Sequence, residues 1–107
     1  MLEFLRKLFG GKDLKLIIQN GAVIVDVRTV KEFQRGSADG AINIPLGDFG
    51  KNIDKMRQMK KPIITCCASG MRSDAAKRQL ESYRIEAYNG GSWQSISRKL
   101  QDRKSVV

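Results

Sequence analysis

Two runs, Ala22-Val23-Ile24-Val25-Asp26-Val27 and Pro62-Ile63-Ile64-Thr65-Cys66, are apolar and largely β-branched at consecutive rather than alternate positions. A strand with one wet face alternates apolar and polar side chains. A continuous apolar strand has both faces covered, which is the pattern of a parallel sheet held between layers of helix. The rest of the chain must therefore supply crossover helices between such strands, because parallel neighbours cannot be joined by a tight turn.

The intervening segments meet that demand. Asp13 reads as an N-cap for a helix carrying Leu14, Leu16, Ile17 and Ile18, stopped by Asn20-Gly21. Val30 to Arg35 forms a short helical stretch, Gly40 to Pro45 a short strand, and Lys51 to Met59 a helix placing Ile53 and Met56 inward. Arg72 to Tyr83 has Ala76, Leu80 and Tyr83 on one face of a helix, Ile85 to Tyr88 is a last strand, Asn89-Gly90-Gly91 a turn, and Ser92 to Leu100 a closing helix. The expected fold is α/β, a central parallel sheet of about four to five short strands with helices on both faces, and ligands gather beyond the carboxyl ends of such strands. Leu2, Leu5, Leu8 and Phe9 have near-helical spacing ahead of Gly10-Gly11, so residues 1–12 are expected to form an amphipathic extension to one domain over 13–107.

A length of 107 residues accommodates one such domain. No window approaches the roughly 18 to 20 apolar residues of a membrane span, and the charged, interrupted start lacks the apolar core of a secretory signal. The two cysteines, Cys66 and Cys67, are neighbours and cannot staple a loop, so reduced thiols and a cytoplasmic setting are expected. The net charge of +9 attracts anions. Lys51, Lys55, Arg57, Lys60 and Lys61 crowd one segment and Arg98, Lys99, Arg103 and Lys104 another, but no aromatics alternate with them as a base-stacking surface requires, so steering of a small anion is expected rather than nucleic-acid binding. The N-terminal turn is too short for firm membrane attachment and is expected to dock on the domain.

The chemistry is concentrated in Thr65-Cys66-Cys67-Ala68-Ser69-Gly70-Met71-Arg72-Ser73, between a buried strand and a helix. Backbone N–H groups of such a loop converge, and the unpaired amides of the following helix add partial positive charge. A thiol there ionises more readily than the ordinary one with a pKa near 8.5. Ala68, Ser69 and Gly70 let the loop curl tightly, and Arg72 offers a guanidinium fork to an oxyanion. Cys66 continues the strand and is expected to be core.

Cys67, Gly70, Arg72 and Ser73 fit the active-site loop of rhodanese-type sulfurtransferases, and the chain resembles that family beyond the loop. Asp26-Val27-Arg28 with Glu32-Phe33, then Gly36 to Pro45, then Asn89-Gly90-Gly91 with Trp93 are similar to its other blocks, in family order over residues 13–100. Two positions depart from the pattern: Ser37 stands where the family usually has His, and Trp93 lies nearer the glycines. The resemblance implies a rhodanese-like fold and a thiosulfate sulfurtransferase activity. Cys67 would be the catalytic nucleophile, holding a sulfane sulfur as a persulfide between a small anionic donor such as thiosulfate and a thiol or protein acceptor. Ala68, Ser69, Gly70, Met71 and Arg72 would bind substrate, with Asp26, Arg28 and Ser73 as structural support. Neither a metal nor a cofactor is called for.

The chain has no histidine, so imidazole acid–base chemistry is excluded, whereas transfer from an ionised thiolate needs none. Two rivals stand beside this reading. Counted from Cys66, the spacing to Arg72 is that of a cysteine phosphatase or arsenate reductase, although the positions of that pattern's His and Gly hold Thr65 and Ser69. A non-catalytic rhodanese-like module that binds a protein partner is the other.

Overall fold

The structure is a computed structural model that describes residues 10–105, with the side chains of 14–102. In chain order its elements are α1 (Gly10–Gln19), β1 (Val23–Asp26), α2 (Val30–Gln34), β2 (Ile42–Asn43), a 3-10 helix (Leu46–Asn52) running into α3 (Ile53–Gln58), β3 (Ile63–Cys67), α4 (Met71–Ser82), β4 (Ala87–Ser92) and α5 (Trp93–Ser105). The turn expected over Leu2, Leu5, Leu8 and Phe9 lies outside the described residues.

The two β-branched runs become the centre of a four-stranded, all-parallel sheet in the order β2-β1-β3-β4. Val23 of β1 stands opposite Ile63 of β3, and Asp26 opposite Cys66. Side chains alternate across a strand, so Val25 and Ile63 face one layer with Phe49, Ile53, Met56, Ala76 and Leu80. Ile24 and Ile64 face the other with Ile18 of α1 and Ile96 of α5. That same alternation sends neighbouring cysteines to opposite sides: Cys66 joins the α1–α5 layer and Cys67 the α4 layer. Among the described residues no helix is long and apolar enough to cross a membrane.

Three segments differ from the sequence expectation. The chain is already helical at Gly10, so Asp13 lies inside α1 and is not its N-cap. The helix expected over Lys51 to Met59 is a 3-10 coil to Asn52 and α-helical only from Ile53. Gly47 and Gly50 weaken α-helix there, while Phe49 between them is drawn fully into the core. Asn89-Gly90-Gly91 is not a turn but part of β4. A Cβ on Gly90 would lie 2.7 Å from Ile96 Cδ1, 2.8 Å from Ile64 Cγ2 and 2.9 Å from the Thr65 carbonyl oxygen. The glycine is there because α5 and β3 approach the backbone too closely for any side chain.

Candidate active site

The carboxyl end of β3 delivers Cys67 directly into the loop that opens α4. Gly70 is the residue before the helix, at φ 103°, a left-handed conformation suited to glycine, and it has no side chain of its own to cap the helix. Helix starts leave amide donors unpaired, and here the sulfur of Cys67 takes the capping position. The Gly70 amide donates to Sγ at 3.0 Å and the Ser73 amide at 3.4 Å. The Ser73 hydroxyl, whose own proton goes to Asn89 Oδ1, lies 3.4 Å from Sγ as acceptor for a thiol proton; it becomes a donor to a thiolate only by turning away from Asn89.

Burial pushes the Cys67 thiol up, but the Ser73 hydroxyl and the amides of Ser73, Gly70 and Ser69 outweigh it and hold the group below its ordinary value. Cys67 is 1% exposed and packs in the apolar α4 layer, yet two amide donors reach its sulfur. Cys66, one residue earlier, has the opposite setting: burial and the nearby Asp26 carboxylate push its thiol up to about 12, against the partial relief of Arg28.

Ser73 is more than the support expected of it, since it meets the sulfur with two of its own groups. Asn89, to which the sequence alone assigns no side-chain role, holds the loop shut. Its Nδ2 donates to the Gly70 carbonyl at 3.0 Å, and its Oδ1 accepts the Ser73 hydroxyl at 2.6 Å and the Gly91 amide at 2.9 Å. An asparagine within a strand, disfavoured there and followed by two glycines, was the available signal.

Arg72 is placed differently from the expectation of a fork open to an oxyanion. Its Nη1 and Nη2 bond Oε1 and Oε2 of Glu32 at 2.8 and 3.0 Å. Glu32 in turn forms a capping box with Thr29 at the start of α2, and Arg72 foremost, with Thr29, holds its carboxyl down at about 2. The guanidinium thus ties the loop to α2. Met71 points out, 81% exposed, and Ala68 and Ser69 are also exposed.

Asp26 and Arg28 lie beneath this arrangement as a buried pair. Arg28 Nη2 meets Asp26 Oδ2 at 2.7 Å, and Nε reaches both carboxylate oxygens. The remaining donors bond the carbonyls of Glu32 and Gly36, and the guanidinium stacks 5.0 Å from the Trp93 ring centre. With every donor and acceptor matched, the pair braces α2 and the segment after it. Trp93 also closes on Gly36, where an added Cβ would lie 3.1 Å from the ring. The tryptophan's departure in spacing therefore still brings it to the second block.

Comparison with known proteins agrees with this geometry. The Rhodanese-like domain family matches residues 11–98. A putative sulfur carrier protein, YrkF, of Bacillus subtilis is 33% identical over 58 residues, covering 54% of this chain and 31% of that protein. A tRNA sulfurtransferase of Thermoplasma acidophilum is 28% identical over 92 residues, 86% of this chain and 18% of that one. The chain thus spans less than a third of the length of either curated relative. Among solved structures, a rhodanese-like domain protein from Staphylococcus aureus superposes with a TM-score of 0.67 at 27% identity, covering 79% of this chain and 85% of that one. A rhodanese from E. coli gives 0.65 at 27% identity, covering 70% and 91%. On sequence match and fold together, the chain belongs to the rhodanese-like domain family.

Proposed function

We propose that this protein is a sulfurtransferase in which the Cys67 thiolate accepts a sulfane sulfur and carries it as a persulfide to a thiophilic acceptor. The observation that carries the reading is the convergence of the Gly70 and Ser73 amides on Sγ. Donors fixed in place around a sulfur stabilise negative charge on it before and after the extra atom arrives, without reorganisation during the reaction. In the first half, Cys67 S⁻ attacks the outer sulfur of the donor, the donor's bond to that sulfur breaks, and the leaving group departs with the electron pair. With thiosulfate, sulfite leaves; with a persulfide, a thiolate leaves. In the second half, a thiol or protein thiolate attacks the carried sulfur and restores Cys67 S⁻.

Glu32–Arg72 holds the loop to α2 while this happens, Asp26–Arg28 braces α2 itself, and Asn89 holds the loop to β4. The relatives described as a sulfur carrier and a tRNA sulfurtransferase support sulfur as the cargo. A phosphatase built on Cys66 is disfavoured, because that thiol faces the opposite layer of the sheet and is held protonated. The test is the intact mass after incubation with thiosulfate or with a thiol persulfide. One added sulfur is expected in the wild type and in Cys66→Ala, and none in Cys67→Ser. Absence of the added sulfur with every donor would overturn the reading and favour a binding module.

A further inference from the structure

A closed ring of hydrogen bonds runs through the loop. The Cys67 thiol donates to the Ser73 hydroxyl at 3.4 Å and that hydroxyl donates to Asn89 Oδ1 at 2.6 Å. Asn89 Nδ2 donates to the Gly70 carbonyl at 3.0 Å, and the Gly70 amide returns to the sulfur at 3.0 Å. The direction of the ring is fixed at Asn89. The Gly91 amide also meets Oδ1, at 2.9 Å, and an N–H can only donate, so the side chain presents its oxygen to Ser73 and its nitrogen to Gly70. Ser73 is fully buried, and its hydroxyl has one proton to give. That proton rests on the 2.6 Å bond to Asn89.

Such a ring suits a protonated sulfur. Once the thiol proton passes to solvent, the Ser73 oxygen faces S⁻ with a lone pair, and the thiolate gains a donor there only by drawing the hydroxyl away from Asn89. We infer that Asn89 is a positioning residue that competes with the Cys67 thiolate for the Ser73 hydroxyl, and so sets how much of that donor the nucleophile receives. The competition rests on the ring; its consequence for sulfur transfer rests on the sulfurtransferase reading. The hydroxyl swings to Sγ while Cys67 is a bare thiolate, and Oδ1 then keeps the Gly91 amide, so no acceptor is stranded. It returns to Asn89 once the charge has moved to the outer sulfur of the persulfide. Charged groups around the sulfur are common to every variant used below. Asp26 of β1 is held by Arg28, and Arg72 and Asp74 of α4 by Glu32 and Arg78. Cys66 and Tyr88 of β4 lie in the opposite layer, while the 3-10 helix and α3 supply Phe49, Ile53 and Met56 to the layer of Cys67.

The experiment titrates Cys67 by thiolate ultraviolet absorbance in the full chain, for the wild type, Ser73→Ala, Asn89→Ala and the double variant, each read against the same background carrying Cys67→Ser. Cys66, held protonated up to about 12, stays outside the window. Asn89→Ala removes the competing acceptor, while the Gly70 carbonyl keeps the Asp74 amide at 3.0 Å. The midpoint should therefore fall by about 0.5–1 unit, the worth of one neutral hydrogen bond. With Ser73→Ala already in place there is no hydroxyl to contest, and Asn89→Ala should leave the midpoint unmoved. A side chain that only braces the loop predicts the opposite sign, because loosened amides stabilise the thiolate less. A rise, no shift, or an equal fall in both backgrounds would overturn the inference. Asn89→Asp covers the case in which Asn89→Ala does not fold, since it keeps an acceptor for the Gly91 amide. Its charge raises the midpoint in either background, and its tighter grip on the hydroxyl should add about half a unit only where Ser73 is present; equal rises would count against the competition. Loading of Cys67 from thiosulfate or glutathione persulfide should quicken in Asn89→Ala below the wild-type midpoint, by less than the thiolate fraction grows, because a more acidic thiol is a weaker nucleophile. Failure of every donor to load Cys67 would overturn the sulfurtransferase reading and leave the titration result standing.

Discussion

Ser73→Ala isolates the side chain that meets the sulfur most directly. The substitution removes the hydroxyl 3.4 Å from Sγ and leaves the Ser73 amide in place, because that contact is backbone. Asn89 Oδ1 loses the 2.6 Å bond from the hydroxyl but keeps the Gly91 amide at 2.9 Å, so no buried acceptor is left without a donor. Alanine also suits the first turn of α4 at least as well as serine. The stability cost is therefore that of one exchanged hydrogen bond, about 1 kcal/mol. The effect on the thiolate is specific. A hydrogen bond to a charged group contributes about 1.5–3 kcal/mol, and because the hydroxyl must turn from Asn89 to the thiolate to make it, the low end applies, equivalent to about one pKa unit. Because the wild-type thiol is held below its ordinary value partly by this hydroxyl, the variant should need a pH about one unit higher to ionise. Thiolate absorbance near 240 nm, read against Cys67→Ser, gives the shift directly. Loading rates should be about tenfold lower below the wild-type midpoint and converge with wild type at high pH. An unshifted absorbance midpoint, or a uniform loss of rate at all pH values, would refute the account of Ser73 as a donor to sulfur.

Gly90→Ala should destabilise by about 1–3 kcal/mol in urea unfolding, since its Cβ meets the Thr65 carbonyl oxygen, which cannot rotate away. Cys66→Ala should load sulfur like the wild type but change the alkaline limb of stability. The folded state holds Cys66 protonated up to about 12, whereas the unfolded thiol ionises near about 8.5; Cys66 therefore costs stability increasingly as pH rises through that window, and its removal should flatten the wild type's decline. Glu32 works on the acid side. Its folded value of about 2 lies below the ordinary value of 4.5, so its contribution is full above the ordinary value and is lost as pH falls toward the folded one. The difference in urea midpoint between wild type and Glu32→Gln should shrink over that interval, and a constant difference would contradict the pairing with Arg72.

Much of the architecture was legible in the chain because the signals are local. Unbroken β-branched runs at Val23–Asp26 and Ile63–Cys67 cannot leave either face wet, and parallel pairing with helices on both sides follows. The loop from Cys67 to Ser73 was legible for a similar reason, since a strand end, a left-handed glycine and a helix start are adjacent in sequence. Asn89-Gly90-Gly91 has the local composition of a turn, but Gly90 answers to the close approach of Ile96 and Ile64, which no local window contains.

Which anion-binding groups remain open was decided only in three dimensions. Arg72 and Glu32 are forty residues apart, and nothing in either neighbourhood announces that the fork intended for an oxyanion is already taken. The same is true of Asn89, whose reach to Gly70 and Ser73 depends on β4 lying beside β3. Residue types and their order determined that a cysteine would meet the amides of a helix start. Long-range pairing, which depends on where the sheet brings distant side chains together, decided that Arg72 would be held by Glu32 and that Asn89 would close the loop around that cysteine.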